Sequence, residues 1–283
     1  MPPAKRYALL QQHMRPDATA ASSSPPGPAA AASAAGLAVD LTGRVALVTG
    51  ATGQLGRAMV RVLATAGADI AVHYRGNQGK ADELCAQVQA MGRRSCAVHG
   101  MIDDEQSVAA IQVAIAAELG HVDIVVANAV QQYEWTSVME QAISDYESQF
   151  RTCVLQNVLL AKAFVPGMAE RGWGRIVAIS SVCAMECASG QSAYDSGKRG
   201  MDGVLRVLAR EVGPQGITVV RLAHHGAALL LLTDVKSCLL HHAAYTRAEY
   251  RGSRLHLEPR PCRRTGSEYS LQQRQRWHPA PAE

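Results

Sequence analysis

The sequence predicts an α/β protein with a doubly wound parallel sheet in a single domain, and three observations carry this prediction. Apolar runs of strand length alternate with helical patterns from residue 41 to about residue 222. The runs are short and rich in valine and isoleucine, which is typical of parallel strands buried on both faces. A glycine turn joins the first strand to the first helix. Such strands pair through right-handed crossovers, so we expect ligands at their carboxyl ends.

The glycine turn lies in the stretch RVALVTGATGQLGR, residues 44–57, after a strand at 45–48. Its glycines are Gly50, Gly53 and Gly56. The helix that follows has apolar residues at helical spacing: Leu55, Met59, Val62, Leu63 and Ala66. A turn of this kind presents backbone N–H groups and a positive helix end to a pyrophosphate, an approach that side chains would block. We therefore predict a nucleotide site here, with a bare tight turn as the alternative.

The remaining elements follow in order, each bounded by turn or capping residues. Further strands are predicted at 69–74, 95–99, 123–127, 175–180 and 217–222. Further helices are predicted at 78–91, from an Asp103 cap to Gly120, at about 143–169 and at about 192–212. Gln106 is the expected capping-box partner of Asp103, and Pro166 is expected to bend the long helix.

Composition narrows the class of protein. No apolar run approaches the ~20 residues of a membrane helix, and the longest candidate, 227–232, is far too short. Seven cysteines without a CxxC pair suggest reduced thiols, as in the cytoplasm. The net charge of +4 arises entirely beyond residue 223, where nine Lys and Arg face five Asp and Glu. We therefore expect no membrane association and no nucleic-acid partner.

Residues 1–38 are expected to form a disordered lead ahead of a domain at 39–223. The lead is rich in Ala, Pro and Ser and has no apolar period, so it cannot bury a core. An organelle transit peptide is the alternative, because the segment has few acids and some arginine.

The end of the second predicted strand, His73-Tyr74-Arg75, is where a sheet of this type selects its cofactor. An acid there would hold the ribose hydroxyls of NAD and repel a 2′-phosphate. No acid occurs from His73 to Lys80, and Arg75 can pair with a phosphate. We therefore predict NADP rather than NAD, with a solvated loop arginine as the alternative interpretation of Arg75.

Three side chains suggest acid/base chemistry. Tyr194 and Lys198 are four residues apart, so they share one helix face. An ammonium beside a phenol favours the phenolate, and we expect Lys198 to lower the pKa of Tyr194 from its usual value of about 10. Tyr194 then donates a proton to a carbonyl or accepts one from an alcohol. Ser181, thirteen residues earlier at a strand end, can hydrogen-bond the same substrate oxygen or be a plain turn residue.

In their order and spacing, these motifs resemble the short-chain dehydrogenase/reductase family over residues 41 to about 222. The matching motifs are Thr49-Gly50-x-x-Gly53-x-x-Gly56, Asn128-Ala129, Ser181 and Tyr194-Asp195-Ser196-Gly197-Lys198. The resemblance implies a Rossmann-like, three-layer α/β/α domain. It also implies hydride transfer between a nicotinamide and a small-molecule ketone or secondary alcohol, with a 3-oxoacyl reductase as the nearest general type.

The resemblance also implies roles for residues. Tyr194 would be the acid/base, Ser181 would position the substrate oxygen, and Lys198 would bind the nicotinamide ribose while tuning Tyr194. Asn128 and Ala129 would line the adenosine side of the cofactor. No metal site is expected. The complete candidate cofactor set is Gly50, Thr52, Gly53, Gln54, Leu55, Gly56, Tyr74, Arg75, Asn128, Ala129, Tyr194 and Lys198.

Several positions depart from the family pattern. The turn TGATGQLG has the spacing of the family's extended and atypical branches, and the NNAG motif reads ANAV at 127–130. Met101 stands where an adenine-contacting aspartate is common. Cys153 stands where the family has an asparagine that supports a water relay. That change is expected to slow proton delivery, with Asn157 one turn later as a partial substitute.

The largest departure begins at residue 224, so residues 224–283 are interpreted as an atypical tail. The family's Pro-Gly turn, nicotinamide-contacting threonine, substrate lobe and final strand are not recognisable after Ala223. The abrupt change suggests an altered reading frame or a splice product. His pairs at 224–225 and 241–242 have no recurring partner at ligand spacing, which favours a solvated tail over a metal site. A rival function is therefore a dinucleotide-binding protein with little or no turnover.

Two helices carry more apolar surface than one sheet needs. Members of the family commonly pair through the helix before the fifth strand and the Tyr/Lys helix, so we expect a homodimer or homotetramer. The candidate interface residues are Val154, Leu155, Val158, Leu159, Met201, Val204, Leu205 and Leu208.

Overall fold

A central sheet organises the fold, because its short apolar strands are buried on both faces. The computed structural model describes residues 39–224, 245–251 and 254–259. The predicted lead at 1–38 and most of the tail at 224–283 lie outside these residues. The strands are β1 Val45–Val48, β2 Asp69–Tyr74, β3 Ser95–His99, β4 Ile124–Ala127, β5 Gly174–Ser181, β6 Ile217–His224, β7 Tyr245–Arg251 and β8 Arg254–Pro259.

The strand order confirms the doubly wound topology. It runs β3-β2-β1-β4-β5-β6-β7-β8, and the chain reverses direction across the sheet between β1 and β4. Every neighbouring pair is parallel except β7 and β8. In sheets of this order, the carboxyl ends of the strands on either side of the reversal open a crevice for ligands.

Helices cover both faces of the sheet. They are α1 Gln54–Thr65, α2 Gln78–Ala90, α3 Glu105–Glu118, α4 Ile143–Gln149, α5 Gln156–Glu170, α6 Cys183–Glu186 and α7 Ser192–Val212. A π-helical segment, Phe150–Leu155, joins α4 to α5, and a short 3-10 turn, Gly213–Gln215, follows α7.

The period of two along each strand divides the core into two layers. Ala46 and Val48 of β1 face α1 and α2, where Met59 and Leu63 are fully buried. Val45 and Leu47 face α3, α5 and α7 on the other side. That second layer contains the predicted stripe of α3 together with residues of α5 and α7: Val108, Ile111, Ile115, Leu119, Phe164, Met168, Met201 and Leu205.

One detail of the predicted helices is wrong by local geometry. The N-cap of α3 is Asp104 rather than Asp103, because the Asp104 carboxylate accepts the Ser107 N–H at 2.7 Å. Asp103 instead forms an ion pair with Arg151 at 3.0 Å. The long helix contains a π-helical segment at Phe150–Leu155, and Pro166 lies inside α5; the bend expected at Pro166 stays a prediction.

The sequence analysis recognised no strand after Ala223, and the structure corrects this with β7 and β8. Strand β7 pairs in parallel with β6, from Val219↔Tyr245 to Ala223↔Glu249. Its sequence, YTRAEYR, alternates short and charged residues instead of forming an apolar run. A strand outside the buried centre of a sheet does not require the apolar runs by which the inner strands were recognised.

Among the described residues, the helical stretch from Ile143 to Glu170 alone is long and apolar enough to cross a membrane by length and composition. The sequence analysis found no such segment. Within the fold, its α5 part contributes Leu160, Phe164 and Met168 to the core. Core helices of soluble proteins pass the same test of length and composition, so the segment is weak support for a membrane span.

Candidate active site

A cleft of about 990 Å³ opens at the carboxyl ends of β1, β2, β4 and β5. The glycine turn lines one end, and Tyr194 and Lys198 line the other. The structure therefore brings the two groups of predicted site residues into one cavity. Most of the candidate cofactor set lines it: Gly50, Thr52, Gly53, Gln54, Leu55, Gly56, Arg75, Asn128, Ala129, Tyr194 and Lys198.

The glycine turn is compact enough that side chains are excluded from it. Gly50 has φ +61°, in the left-handed region that favours glycine. A Cβ on Gly56 would lie 2.4 Å from the Gly50 carbonyl oxygen and 2.7 Å from Ala51 Cα. The turn therefore brings the start of α1 close to the end of β1, which leaves a cradle for a phosphate at the helix N-terminus.

His73 holds this turn from β2, a role that the sequence analysis did not identify. Its Nδ1 accepts the Gly50 N–H at 3.1 Å, and its Nε2 lies 3.1 Å from the Gly100 carbonyl oxygen. Since a carbonyl only accepts, Nε2 carries the proton and the ring is neutral. Burial lowers the pKa of His73 to about 4. The strand position alone gave no signal, because a buried strand histidine has many possible partners.

A buried polar network joins β1 to β4 beneath the cleft. Thr49 Oγ1 donates to Gln156 Oε1 at 2.8 Å and accepts the N–H groups of Asn128 and Ala129 at 2.9 and 3.0 Å. The Asn128 side chain donates to the Thr49 and Gly50 carbonyl oxygens at 2.9 and 3.2 Å. Asn128 therefore fixes the backbone of the turn from below, and Gln156 completes the network from α5.

Tyr74 ends β2 and Arg75 follows it, and the two residues face different environments. Arg75 is exposed, lines the cleft and donates a hydrogen bond from Nη1 to Gln131 Oε1. Tyr74 is buried, packs in the core layer of α1 and α2, and has its ring 5.3 Å from that of His99. Of the pair predicted to contact a cofactor, the structure thus brings Arg75 into the cleft and leaves Tyr74 outside its lining.

Tyr194 and Lys198 lie near the start of α7, with their side chains at the same end of the cleft. Lys198 Nζ is buried 5.6 Å from the centroid of the Tyr194 ring and donates to the Ile179 carbonyl oxygen at 2.6 Å. Gly197, between them, packs on α4: a Cβ there would lie 3.0 Å from the Gln149 carbonyl oxygen. Close packing of α7 on α4 therefore sets the direction of both side chains.

The pKa of Tyr194 moves in the direction opposite to the prediction. Burial raises it to about 12, and the hydrogen bond to the Ser181 side chain lowers it by less. Burial also lowers the pKa of Lys198, whose ammonium is engaged by the Ile179 carbonyl. The phenol is therefore protonated in this state. Ser181, buried at the end of β5, also accepts the Cys183 N–H at 3.2 Å.

Cys153 lies in the π-helical segment and is fully buried. Burial raises the pKa of its thiol, which donates to Gln149 Oε1 at 3.8 Å. Asn157 Nδ2 donates to the Cys153 carbonyl oxygen at 2.7 Å, and Asn157 Oδ1 is buried without a hydrogen-bond partner in the described part of the chain. Asn157 thus touches the backbone of the position where the resemblance expects an asparagine, and it keeps a free acceptor there.

Two aromatic residues of the β4–α4 loop lie next to Tyr194. The Tyr133 hydroxyl accepts the backbone N–H of Tyr194 at 2.7 Å. The Trp135 ring lies 6.3 Å from the Tyr194 ring, centroid to centroid, at an angle of 31°. Sequence reasoning missed both, because only the fold brings residues 133 and 135 next to residue 194. Aromatic residues shortly after Asn128-Ala129 were the one available signal.

In the described residues, no group of three or more His, Cys, Asp or Glu side chains could hold a metal ion. The predicted His pairs mostly lie elsewhere: His225, His241 and His242 are outside the described residues.

Comparisons with known proteins agree with this geometry. The family model for short chain dehydrogenases matches residues 44–228. Nodulation protein G of Azospirillum brasilense is 36% identical over 181 residues, which cover 64% of this chain and 73% of that protein. The 3-oxoacyl-[acyl-carrier-protein] reductase FabG of Escherichia coli is 33% identical over 194 residues, 64% of this chain and 72% of that protein.

Two further matches bear on ligands. The acetoacetyl-CoA reductase of Cupriavidus necator is 31% identical over 179 residues, covering 63% of this chain and 72% of that protein. A crystal structure of a metagenomic short-chain oxidoreductase in complex with NADP superimposes with a TM-score of 0.63 at 25% identity, covering 70% of this chain and 90% of that one. The relatives thus include ketone reductases, and the solved structure contains NADP.

Proposed function

The chain belongs to the short-chain dehydrogenase family, and from this premise we propose that it is an NADP-dependent oxidoreductase that interconverts a ketone and a secondary alcohol. In the reducing direction, ketone, NADPH and a proton give alcohol and NADP⁺. Relatives named as 3-oxoacyl and acetoacetyl-CoA reductases support this reaction type. The observation that carries the proposal is the single cleft that joins the glycine turn to Tyr194 and Lys198.

The residues of the cleft fit a dinucleotide. A Cβ on Gly56 would meet the backbone of Gly50 and Ala51, so glycine allows the close packing of the turn that leaves the N-terminus of α1 available for a pyrophosphate. Asn128 and Ala129 line the adenosine side, and the exposed guanidinium of Arg75 is available for a 2′-phosphate. Lys198 would bind the nicotinamide ribose. When bound, NADPH supplies the hydride for the carbonyl carbon.

Tyr194 would hold and move the proton. Its pKa of about 12 means that the phenol reaches a carbonyl substrate in the protonated form, which is the form that donates. Ser181, hydrogen-bonded to Tyr194, would orient the same substrate oxygen. A ribose hydroxyl near Lys198 would stabilise the phenolate by donating a hydrogen bond to it. The growing negative charge on the substrate oxygen would make that oxygen a better proton acceptor, so both lower the cost of proton transfer.

The test measures cofactor choice and turnover together. NADPH should bind at least ten-fold more tightly than NADH, and it should be oxidised in the presence of at least one member of a panel of small ketones. Arg75→Ala should remove most of that preference, about 1.4 kcal/mol. Lys80→Ala, in the exposed first turn of α2, serves as the control for lost surface charge. Equal dissociation constants for NADPH and NADH would contradict the assignment of NADP.

A second candidate function is a dinucleotide-binding protein with little turnover. The buried thiol of Cys153 favours it, because a protonated thiol is a poor substitute for the asparagine that the resemblance implies at this position for the water relay. The two functions differ in how the nicotinamide half binds. A binding protein of this kind would bind 2′-phospho-AMP and NADPH with similar affinity, whereas a reductase that orders the nicotinamide would bind NADPH far more tightly.

Members of the family act on small molecules and commonly form oligomers, and we propose a homodimer or homotetramer for this chain. The face between α5 and α7 supports it, with a groove of about 290 Å³ lined by Val158, Val165, Val204 and Leu208. The prediction is wrong for four interface residues, because they are buried in the core of the same chain: Val154, Leu159, Met201 and Leu205. We also propose a cytoplasmic protein with no nucleic-acid partner and no membrane association.

A further inference from the structure

We infer that the substrate is an uncharged ketone with a flat apolar substituent, and that Trp135 recognises this substituent. The inference rests on the proposed function, which fixes the reaction and leaves the substituent open. Three observations carry it: a rigid loop, an exposed aromatic face beside Tyr194, and the charge of the two loops around it.

The loop that carries Trp135 is held at several points by hydrogen bonds to buried residues and to Tyr194. Gln149, fully buried, donates to the Gln131 carbonyl oxygen at 2.8 Å. The Tyr133 hydroxyl is fixed by the Tyr194 N–H. Gln141 donates to the Glu134 carbonyl oxygen at 3.0 Å and accepts the Thr136 N–H at 3.0 Å, so it closes the loop on both sides of Trp135. A side chain on such a loop is preorganised for binding.

Trp135 lies beside Tyr194 and keeps free surface. Its ring lies 6.3 Å from the Tyr194 ring, and 38% of the residue is exposed. Gly190, on the opposite loop, lies behind it: a Cβ there would lie 3.8 Å from Trp135 Cβ. A carbonyl oxygen bonded to the Tyr194 hydroxyl would leave its substituent beside the indole. Aromatic groups stack on such a face more favourably than their buried area alone predicts.

The charge of the two loops argues against an anionic substituent. Residues 131–142 and 182–191 contain Glu134, Glu140 and Glu186 but no Lys or Arg. Asp145 and Glu147 line the cleft beside the first loop. Of the cations that also line the cleft, Arg151 is paired with Asp103 at 3.0 Å, Lys198 donates to the Ile179 carbonyl oxygen, and Arg75 lies at the cofactor end. A substrate attached to coenzyme A or to a phosphopantetheine arm carries phosphates, which these carboxylates would repel. The loops therefore favour a free, neutral ketone over a carrier-bound acyl thioester.

The experiment compares acetophenone with cyclohexyl methyl ketone, which have similar size and differ in the flatness of the ring. The ratio of their kcat/KM values should fall at least three-fold in Trp135→Leu and stay within two-fold in Trp135→Phe, which keeps an aromatic face. Because the ratio is compared between proteins, intrinsic reactivity cancels. An unchanged ratio in Trp135→Leu would overturn the role of Trp135, and acetoacetyl-CoA as the best substrate by ten-fold would overturn the neutral class.

A binding measurement separates this inference from the proposed function. With NADP⁺ present, acetophenone should quench the tryptophan fluorescence of the full chain, and most of the quenching should disappear in Trp135→Leu. Trp173→Phe, which removes a tryptophan that packs between Arg44 and Arg175, should retain it. If no ketone is reduced, the proposed function fails, yet this titration still decides whether the Trp135 face binds an aromatic ketone. Equal quenching in the parent protein and in Trp135→Leu would refute the binding of an aromatic ketone at Trp135.

Discussion

The two ends of the cleft are built in different ways. At the cofactor end, side chains from strands fix the glycine turn: Thr49 and His73 are buried, and each has defined partners on more than one strand or turn. At the carbonyl end, two loops, 131–142 and 182–191, lie next to Tyr194 and Ser181. A common cofactor constrains the first end, whereas loops on a rigid scaffold leave the second free to vary with substrate.

The largest effect is expected at the boundary between the two ends. Tyr194→Phe removes the proton donor and keeps the ring, so kcat should fall by about 10²–10⁴-fold, while NADPH affinity stays nearly constant. The rate is checked by following the loss of nicotinamide absorbance over time with a ketone that the parent chain reduces. Lys198→Ala is the matched comparison and should damage both rate and affinity, since it serves both ends. Turnover retained in Tyr194→Phe would remove this tyrosine from the mechanism.

The next effect concerns the cofactor end and depends on pH. The pKa of His73 is lowered from 6.5 to about 4 in the folded chain, so the unfolded chain binds more protons between these values. Stability from His73 is therefore complete above about pH 6.5 and is lost as pH falls toward 4, by about 3 kcal/mol in total.

Denaturant unfolding at a series of pH values checks this expectation. His73→Gln keeps an acceptor and a donor at the turn but cannot titrate, so its stability should change less between pH 6.5 and 4. The exposed His121, changed to Gln, is the control and should leave the pH dependence as in the parent chain. Identical dependence of stability on pH in the parent and in His73→Gln would contradict the role of a neutral, buried His73 that holds the glycine turn.

A smaller effect should follow from adding a side chain at Gly56 in the glycine turn. Gly56→Ala introduces a Cβ that meets the backbone of Gly50 and Ala51, which cannot move as a flexible side chain can. NADPH affinity should fall by roughly ten-fold or more, about 1.4 kcal/mol, as measured by titration. Gly203→Ala in α7, where a Cβ meets nothing within 4 Å, is the control and should leave affinity unchanged. Similar NADPH affinity in both variants would show that the turn does not limit cofactor approach.

The strands and helices at the centre of the fold were predictable from the sequence, because neighbouring residues form the patterns that determine them. The bounds of β2, β3 and α7 match the predictions, since apolar runs and helical periods are properties of adjacent residues. Tertiary contacts decided the rest. Asp104 rather than Asp103 caps α3, and Asp103 pairs with Arg151 of the π-helical segment, which only the fold brings near. His73, Tyr133 and Trp135 gained roles through partners that only the fold brings together, and α6 is too short for a periodic signal.

The smallest expected effect is a gain. Cys153 lies where the resemblance to the family implies an asparagine that takes part in proton supply, and burial raises the pKa of its thiol. Cys153→Asn should raise kcat several-fold and leave NADPH affinity unchanged, whereas Cys153→Ser, which lacks the amide, should give no gain. Steady-state kinetics at saturating NADPH checks both variants. Equal or lower kcat in Cys153→Asn would indicate that the position does not limit proton delivery.

The central claim is that one cleft binds NADPH at the glycine turn and delivers its hydride to a carbonyl beside Tyr194. The direct measurement uses NADPH carrying deuterium at nicotinamide C4, on the face from which hydride leaves, with acetophenone or another ketone that the chain reduces. Mass spectrometry of the alcohol should find one deuterium on the former carbonyl carbon, and none should appear above background with Tyr194→Phe. NADPH that binds tightly to the full chain but transfers no deuterium to any ketone in the panel would contradict the claim.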